Sequence, residues 1–253
     1  MRLFLLDESF HGQNPYEISG PDAHYLADVL RLPIGQSIMA RDMSSQLWSL
    51  KLKEIRKGVC IVETRKAEQA SKGTDALPEY QDLLPITLFQ CLTRPKKLEQ
   101  IVRQATEIGV SRIVLVRSRY SCTEKIRPER LDAQIKEAIQ QSGSLVPTAI
   151  EGPVDIKDIK PEPCGTALFF HQTSLPGQHS LQEATCNLKD PVSLLIGPEG
   201  GLDDSECSIL RSHSFEPVLL DTNILRAETA AVYGIAVVQS ALQNRSRKGN
   251  NYC

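Results

Sequence analysis

The fold is decided by the stretch VSLLIGPEGGL at residues 192–202, in which a short apolar run passes directly into a loop with three glycines in five positions. A continuous apolar run of this length is typical of a strand that is buried on both faces. The acidic stretch at 203–206 then opens a helix. In open α/β sheets, ligands bind just beyond the carboxyl ends of the strands, where glycines let the backbone approach them closely. This loop is therefore the first candidate binding site.

Strands and helices alternate on both sides of this stretch. Buried-type strands are predicted at 85–91, 113–116, 167–170, 192–196 and 217–220, and helices at 98–108, 129–141, 202–213 and 227–243. Alternation of this kind gives a parallel sheet covered by helices. The sequence therefore predicts an α/β domain over residues 83–253.

The first 66 residues instead contain short strands and a single helix-like piece. Residues 46–52 alternate apolar and polar side chains, as a half-buried strand does. In the helix-like piece at 22–31, Tyr25, Leu26, Val29 and Leu30 are predicted to share one face. Together these features indicate a small β-barrel-like module. Because residues 67–82 are polar and contain Gly and Pro, we predict an N-terminal domain over 1–70 and a linker over about 71–82.

Composition excludes several classes of protein. The chain has 29 basic and 31 acidic residues, so any contact with RNA must use a local patch. Residues 94–137 offer such a patch, with 11 basic and 6 acidic side chains, although solvated helix faces would give the same count. No apolar run is long enough to cross a membrane. The seven cysteines form no C-x-x-C pair and the five histidines have no metal-ligand spacing. We expect a cytoplasmic protein without a metal, a disulfide framework or a membrane segment.

The glycine-rich loop favours a ligand without phosphate. It does not match G-x-G-x-x-G, and no Gly-Lys-Ser/Thr follows it, which disfavours a nicotinamide dehydrogenase and a P-loop enzyme. The acidic residues that open the next helix would also repel a phosphate from its N-terminus. The alternative is that Gly-Pro-Glu-Gly-Gly is only a turn.

A second loop follows another buried strand, in the stretch VLLDTNILRAETAA at 218–231. Arg226 and Glu228 bracket the start of a helix that is otherwise strongly apolar. An arginine at that end opposes the helix macrodipole, so it needs another reason to be there. An Arg226–Glu228 ion pair of marginal energetic value is the alternative explanation.

Taken together, the two loops resemble the RsmE family. The matching stretches are Gly-Pro-Glu-Gly-Gly at 197–201 and Ile-Leu-Arg-Ala-Glu-Thr-Ala at 224–230. The stretches at 24–31, 104–110 and 141–143 are similar to further family motifs in the same order. Members of this family are bacterial 16S ribosomal RNA (uracil-N3) methyltransferases of the SPOUT superfamily. The resemblance implies a PUA-like β-barrel followed by a parallel sheet with a C-terminal trefoil knot.

The resemblance also implies S-adenosylmethionine as the methyl donor and 16S ribosomal RNA or the small ribosomal subunit as the partner. By this resemblance, the donor is held by residues of the two loops, which are Ile196, Gly197, Pro198, Glu199, Gly200, Gly201, Leu220, Asn223, Ile224, Leu225, Arg226 and Thr229. Arg226 is the candidate cation for the uracil oxygens, and Glu228 is the candidate for orienting Arg226 or for acting as a base.

RNA contacts are expected from basic residues of the N-terminal module and of the segment that follows the linker. The candidates are Arg31, Arg94, Lys97, Arg103 and Arg119.

Enzymes of this kind act as homodimers, and the apolar surface of the helix over 227–242 is wider than one stripe. A dimer interface would bury it, and a central core helix in a monomer is the alternative.

The chain departs from the family pattern at several positions. Arg94-Pro95 stand where the family usually has Lys-Gly, Gln140 and Ser144 replace Glu and Arg, and the stretch at 220–223 differs as well. Two other functions therefore stay open. One is a SPOUT methyltransferase for another RNA position, such as a ribose 2′-hydroxyl, and the other is an RNA-binding or assembly protein without catalysis.

Overall fold

The computed structural model describes residues 3–67, 85–144 and 147–249. It divides into two compact units, Met1–Glu79 with Ile139–Leu145, and Tyr80–Ala138 with Val146–Cys253. The predicted linker at 71–82 lies outside the described residues.

The first unit is built on a five-stranded mixed sheet. Its strands are β1 (Leu3–Leu5), β2 (Tyr16–Ile18), β3 (Ser37–Arg41), β4 (Leu47–Arg56) and β5 (Val59–Lys66). They are arranged in the order β1-β3-β4-β5-β2, and only the β1–β3 pair is parallel. The alternation in β4 buries Trp48, Leu50 and Leu52 on one face, as the sequence predicts. These side chains pack with Phe4, Phe10 and their neighbours into one apolar core.

The helix-like piece of this unit differs from the prediction. Helix α1 covers only Gly20–His24, and the chain then widens into a π-helical turn over Tyr25–Val29. The Leu30 amide donates to the Tyr25 carbonyl five residues earlier, which changes the angular spacing of the side chains. As a result Leu26 is fully buried, whereas Val29 is 57% exposed. The prediction that Val29 lies on the buried face is therefore wrong.

The second unit is an α/β layer around a seven-stranded sheet. Its strands are β6 (Ile86–Cys91), β7 (Arg112–Arg117), β8 (Ala149–Asp155), β9 (Thr166–Phe170), β10 (His179–Ser180), β11 (Val192–Ile196) and β12 (Glu216–Leu219). The order is β10-β12-β9-β11-β6-β7-β8, and all neighbouring strands are parallel. The predicted α/β fold with a parallel sheet is confirmed.

Five helices accompany this sheet among the described residues. They are α2 (Pro95–Ile108), α3 (Pro128–Ser142), α4 (Leu181–Cys186), α5 (Asp204–Ser212) and α6 (Ala227–Gly249). Helix α6 crosses the sheet at Gly234, where a Cβ atom would lie 2.5 Å from the ring of Phe170 on β9. No helix in the described ranges is both long and apolar enough to span a bilayer.

The strands at the two edges of this sheet are not predicted from the sequence. Strand β8 contains Gly152-Pro153, a pair that reads as a turn, and its pairing with β7 is interrupted between Val114 and Val116. Proline lacks an amide hydrogen and is tolerated in a sheet mainly at edges or irregularities, which is the position of β8. At the other edge, β10 has only two residues and carries no periodic signal.

Candidate active site

A cavity of about 390 Å³ lies where three parallel strands end. Strands β11 and β12 each pair with β9 in parallel, one on either side of it. The loops that follow the three strands therefore meet at the carboxyl end of the sheet. A volume of this size suits one small ligand. The residues that line the cavity are Lys97, Phe170, His171, Gln172, Ile196, Gly197, Pro198, Glu199, Gly201, Leu202, Leu219, Leu220, Thr222, Asn223, Ile224, Leu225, Arg226, Ala227 and Ala230.

The first wall is the glycine-rich loop after β11. It closes in a turn in which the Gly201 amide donates to the Pro198 carbonyl at 3.0 Å. Gly201 has a φ of +75°, a conformation that a residue with a Cβ adopts only under strain. The loop then enters α5 through a capping box, because the Asp203 carboxylate accepts from the Glu206 amide and the Glu206 carboxylate accepts from the Asp203 amide.

The middle glycine of this loop serves packing. A Cβ atom on Gly200 would lie only 2.7 Å from the Cβ of Tyr120, in the segment that follows β7. Tyr120 in turn lies against Arg119, whose guanidinium is 5.6 Å from the centre of the ring. Gly200 therefore lets the segment after β7 lie close to the glycine-rich loop, and it does not line the cavity.

The second wall is the segment between β12 and α6. Its residues 220–226 are irregular, and Ile224 is 80% exposed although it lines the cavity. Helix α6 begins immediately after Arg226, whose carbonyl accepts from the Ala230 amide at 2.8 Å. The segment thus offers backbone polar groups and apolar side chains to the same space.

A third wall follows β9, and the sequence analysis did not identify it. His171 Nε2 lies 2.8 Å from Thr173 Oγ1, and His171 Nδ1 lies 3.7 Å from Cys207 Sγ. Burial lowers the pKa of His171, which keeps its imidazole neutral at pH 7, and burial raises the pKa of Cys207 to about 11. Residues 167–170 are predicted to be a buried strand of the same parallel sheet as β11. The loop after this strand could therefore have been expected at the same end of the sheet as the glycine-rich loop.

Lys97 bridges the first two walls. Its Nζ lies 3.6 Å from Glu199 Oε1 in the glycine-rich loop and 3.2 Å from Glu228 Oε2 at the start of α6. The Lys97 side chain is 27% exposed and the Glu228 side chain 13%. The Arg94 amide also approaches Glu199 Oε1, at 3.5 Å. The first turn of α2 therefore holds carboxylates from both loops.

Glu228 is ionised in this arrangement. Burial of the carboxyl group opposes its ionisation, but the Glu228 amide, Lys97 and Arg226 together outweigh burial and hold the pKa of Glu228 below its usual range. Within the described residues, the ion pair that Glu228 forms is with Lys97 and not with Arg226. Arg226 is exposed and lines the cavity, with no carboxylate of the described chain at ion-pair distance.

Ten of the twelve predicted cofactor residues line this one cavity, although they come from two loops that are separated by α5 and β12 in the sequence. The other two predicted residues do not line the cavity. Gly200 packs against Tyr120, and Thr229 is exposed on α6. Glu228, predicted to be catalytic, does not line the cavity and pairs with Lys97, which does.

The five predicted RNA contacts are dispersed. Arg31 is exposed in the first unit, and Arg94 is exposed at the start of α2. Arg103 pairs with Glu107 along α2, with a nitrogen–oxygen distance of 3.9 Å, and Arg119 donates to Asp203 at 2.9 Å. Lys97, by contrast, is in the wall of the cavity. In the ranges that the structure describes, no group of histidine, cysteine or acidic side chains could hold a metal ion.

Comparison with known proteins identifies the family. The model of the RNA methyltransferase domain matches residues 80–239. Ribosomal RNA small subunit methyltransferase E of Aquifex aeolicus is 30% identical over 72% of this chain and 81% of its own length. The protein of the same name from Rickettsia conorii is 28% identical over 85% of both chains.

Solved structures agree at the level of the fold. The crystal structure of ribosomal RNA small subunit methyltransferase E from Neisseria gonorrhoeae, bound to S-adenosylmethionine, superposes with a TM-score of 0.75 at 21% identity. The match covers 95% of this chain and 97% of that one. The resemblance drawn from the two loops is thereby confirmed, and the chain belongs to the RNA methyltransferase family.

Proposed function

We propose that this protein transfers a methyl group from S-adenosylmethionine to N3 of a uridine in the 16S ribosomal RNA of the small subunit. The observation that carries the proposal is the single cavity formed by the two loops whose sequences resemble the RsmE family. The relatives from Aquifex aeolicus and Rickettsia conorii bear the name ribosomal RNA small subunit methyltransferase E. Such an activity belongs in the cytoplasm, where ribosomal subunits are assembled.

The residues in the cavity fit this donor. Apolar side chains of Ile196, Leu219 and Leu225 suit the faces of an adenine ring, and the irregular backbone at 220–226 offers groups for its edges. The acidic cap of α5 is unsuited to a phosphate, and the donor has none. Glu199 is available to ribose hydroxyls or to a positive charge. When bound, the donor supplies an activated methyl group on a sulfonium sulfur.

Arg226 supplies the electrostatic part of the chemistry. Uracil N3 is a weak acid, so its proton must leave during methylation, and negative charge develops on the neighbouring oxygens. The Arg226 guanidinium at the cavity wall stabilises this charge. Glu228 pairs with Lys97 outside the cavity lining, so of its two candidate roles the electrostatic one, orienting Arg226, fits better than accepting the proton directly.

The fold of the family supports two finer features. From the resemblance to the family, we infer a PUA-like barrel for the N-terminal mixed sheet and a trefoil knot in the C-terminal part of the α/β unit. Residues 1–70 then form the RNA-binding domain and 83–253 the methyltransferase domain, with the linker at about 71–82. Arg31, Arg94, Arg103 and Arg119 are the surface candidates for phosphate contacts.

The exposed stripe of α6 supports a homodimer. Tyr233 is 40% exposed, and Ala236 lies on the same side of the helix one turn later. About half of the other described residues of α6 are buried, and the helix contacts α2 and β11. Because aromatic residues are enriched at protein–protein interfaces, the exposed Tyr233 marks this side of α6 as the candidate interface.

Donor binding tests the cavity directly. We expect calorimetry to show one S-adenosylmethionine bound per chain, and Leu225→Asp to abolish the binding heat because it buries an unpaired charge in the wall. Asp158→Asn, in the short turn after β8, changes a surface charge outside the cavity and is the matched control. Wild-type binding that persists unchanged in Leu225→Asp would show that the donor binds elsewhere.

A further inference from the structure

Lys97 occupies a position that an RNA contact does not explain. Its ammonium group is mostly covered and lines the cavity, where it faces two carboxylates from different loops. Lys96, the preceding residue on α2, is exposed and does not line the cavity. A phosphate contact would require Lys97 to leave both carboxylates.

The charges around the cavity explain why such a cation is needed. Glu199 and Arg226 line the cavity, and the Glu228 carboxylate lies outside the lining at ion-pair distance from Lys97. Without Lys97, both carboxylates would lose the cation that they share, next to the space where negative charge develops on uracil. Like charges at short range in a partly desolvated site are strongly unfavourable. The same carboxylates would instead attract a positively charged donor.

We infer that Lys97 is a positioning residue for methyl transfer, which holds Glu199 and Glu228 in place and offsets part of their negative charge so that the cavity tolerates an anionic uracil. This inference rests on the proposed function, because it concerns the same cavity and the same reaction. It assigns Lys97 to the chemical step, in place of the RNA contact that the sequence predicts.

The test separates donor binding from turnover. In Lys97→Met, kcat at saturating RNA is expected to fall about 100-fold, as when one preorganised electrostatic partner of a transition state is lost. The donor Kd is expected to stay within about threefold of the wild type, because the loss is confined to the transition state. Lys97→Arg keeps the charge and is expected to retain at least about a fifth of the wild-type kcat on the same reasoning.

Two further variants isolate the charge from the packing. Lys97→Gln can still hydrogen bond to a carboxylate, so it keeps the loops together if Lys97→Met fails to fold, and its kcat is expected to fall as far. Lys97→Met combined with Glu199→Gln removes one of the unbalanced charges, and we expect it to recover at least about tenfold of the lost kcat. Lys96→Met is the matched control and is expected to keep the wild-type donor Kd.

Three results would overturn the inference. A donor Kd that weakens in Lys97→Gln as much as kcat falls would indicate a purely structural role. A salt dependence of RNA affinity that loses about one phosphate contact in Lys97→Met would indicate that Lys97 binds the backbone. No recovery in the double variant would indicate that Lys97 acts on the substrate itself. If the wild type neither binds the donor nor transfers methyl groups, the proposed function is wrong. If the wild type is active and the Lys97 variants are as active as the wild type, only the inference about Lys97 is wrong.

Discussion

Replacing Gly234 by alanine tests how helix α6 supports the cavity. Gly234 lies in the middle of α6, where an added Cβ would lie 2.5 Å from two ring carbons of Phe170 and 3.2 Å from a methyl group of Leu194. Leu194 is fully buried and Phe170 is 9% exposed, so neither side chain has open space to enter. Phe170 also lines the cavity, which links the packing of α6 to the site.

The expected magnitude follows from two opposing effects. Alanine in a helix interior is favoured over glycine by about 1 kcal/mol. Overpacking a filled core costs about 1–3 kcal/mol, and contacts this short at two ring atoms belong at the upper end of that range. We therefore expect Gly234→Ala to lower the free energy of unfolding by about 2 kcal/mol net, which corresponds to a Tm lower by roughly 4–8 °C.

Thermal unfolding followed by circular dichroism measures this loss. Ala236→Gly, at an exposed position of the same helix, is the control for helix propensity, and we expect it to cost about 1 kcal/mol. Because the added methyl displaces Phe170, the donor Kd of Gly234→Ala is also expected to weaken. A Gly234→Ala variant that is as stable as the wild type, or more stable, would refute the packing of α6 on β9 described here.

Three other predictions concern the chemistry and the two units. Arg226→Ala is expected to reduce methyl transfer at least about 100-fold while leaving donor binding largely intact, and normal turnover would remove Arg226 from the mechanism. Gly200→Ala is expected to displace the glycine-rich loop and weaken donor binding measured by calorimetry, because the new methyl meets the Cβ of Tyr120. Tyr120→Gly in that background removes this Cβ and should restore binding, whereas Tyr120→Ala keeps it and should not. In the first unit, burial of Asp42 opposes ionisation, but hydrogen bonds from Ser44, Trp48 and Gln46 hold its pKa below the usual range. The stabilisation that ionised Asp42 contributes to the folded state is therefore fully present above its unfolded-state pKa of about 4. It is lost as the pH falls through the lower pKa that Asp42 has in the folded state. Asp42→Ala should cost about 2 kcal/mol at pH 7 and much less in acid, as read from the emission of the single tryptophan, and an equal cost at both pH values would contradict this.

The sequence predicts most of the parallel sheet because its central strands are continuous apolar runs. Strand β11 is buried at every position, as a continuous apolar run in a parallel sheet is expected to be. The edge strand β8 lacks this signal, since one face is open and a Gly-Pro pair interrupts it. The π-helical turn at 25–29 is not predicted either, because local periodicity cannot reveal one extra residue in a helical turn.

The candidate site could be predicted where the motif itself carries the chemistry. The loops at 197–201 and 224–226 line the cavity because glycines, a turn and a helix start are encoded locally. The positions of Lys97 and His171 beside the cavity depend on which elements meet there. This in turn is set by the strand order and by the position of α2. A basic residue on a helix is usually solvated, so nothing in the sequence around Lys97 marks it as a partner of two distant carboxylates.

The most direct test of the central claim is methyl transfer from labelled S-adenosylmethionine onto small ribosomal subunits that lack the modification. The labelled nucleoside is then identified by mass spectrometry and its position in the RNA is mapped. We expect a single 3-methyluridine in 16S ribosomal RNA, formed by the wild type and lost in Arg226→Ala. Label on a ribose 2′-hydroxyl, on another base, or nowhere on the subunit would contradict the proposed reaction.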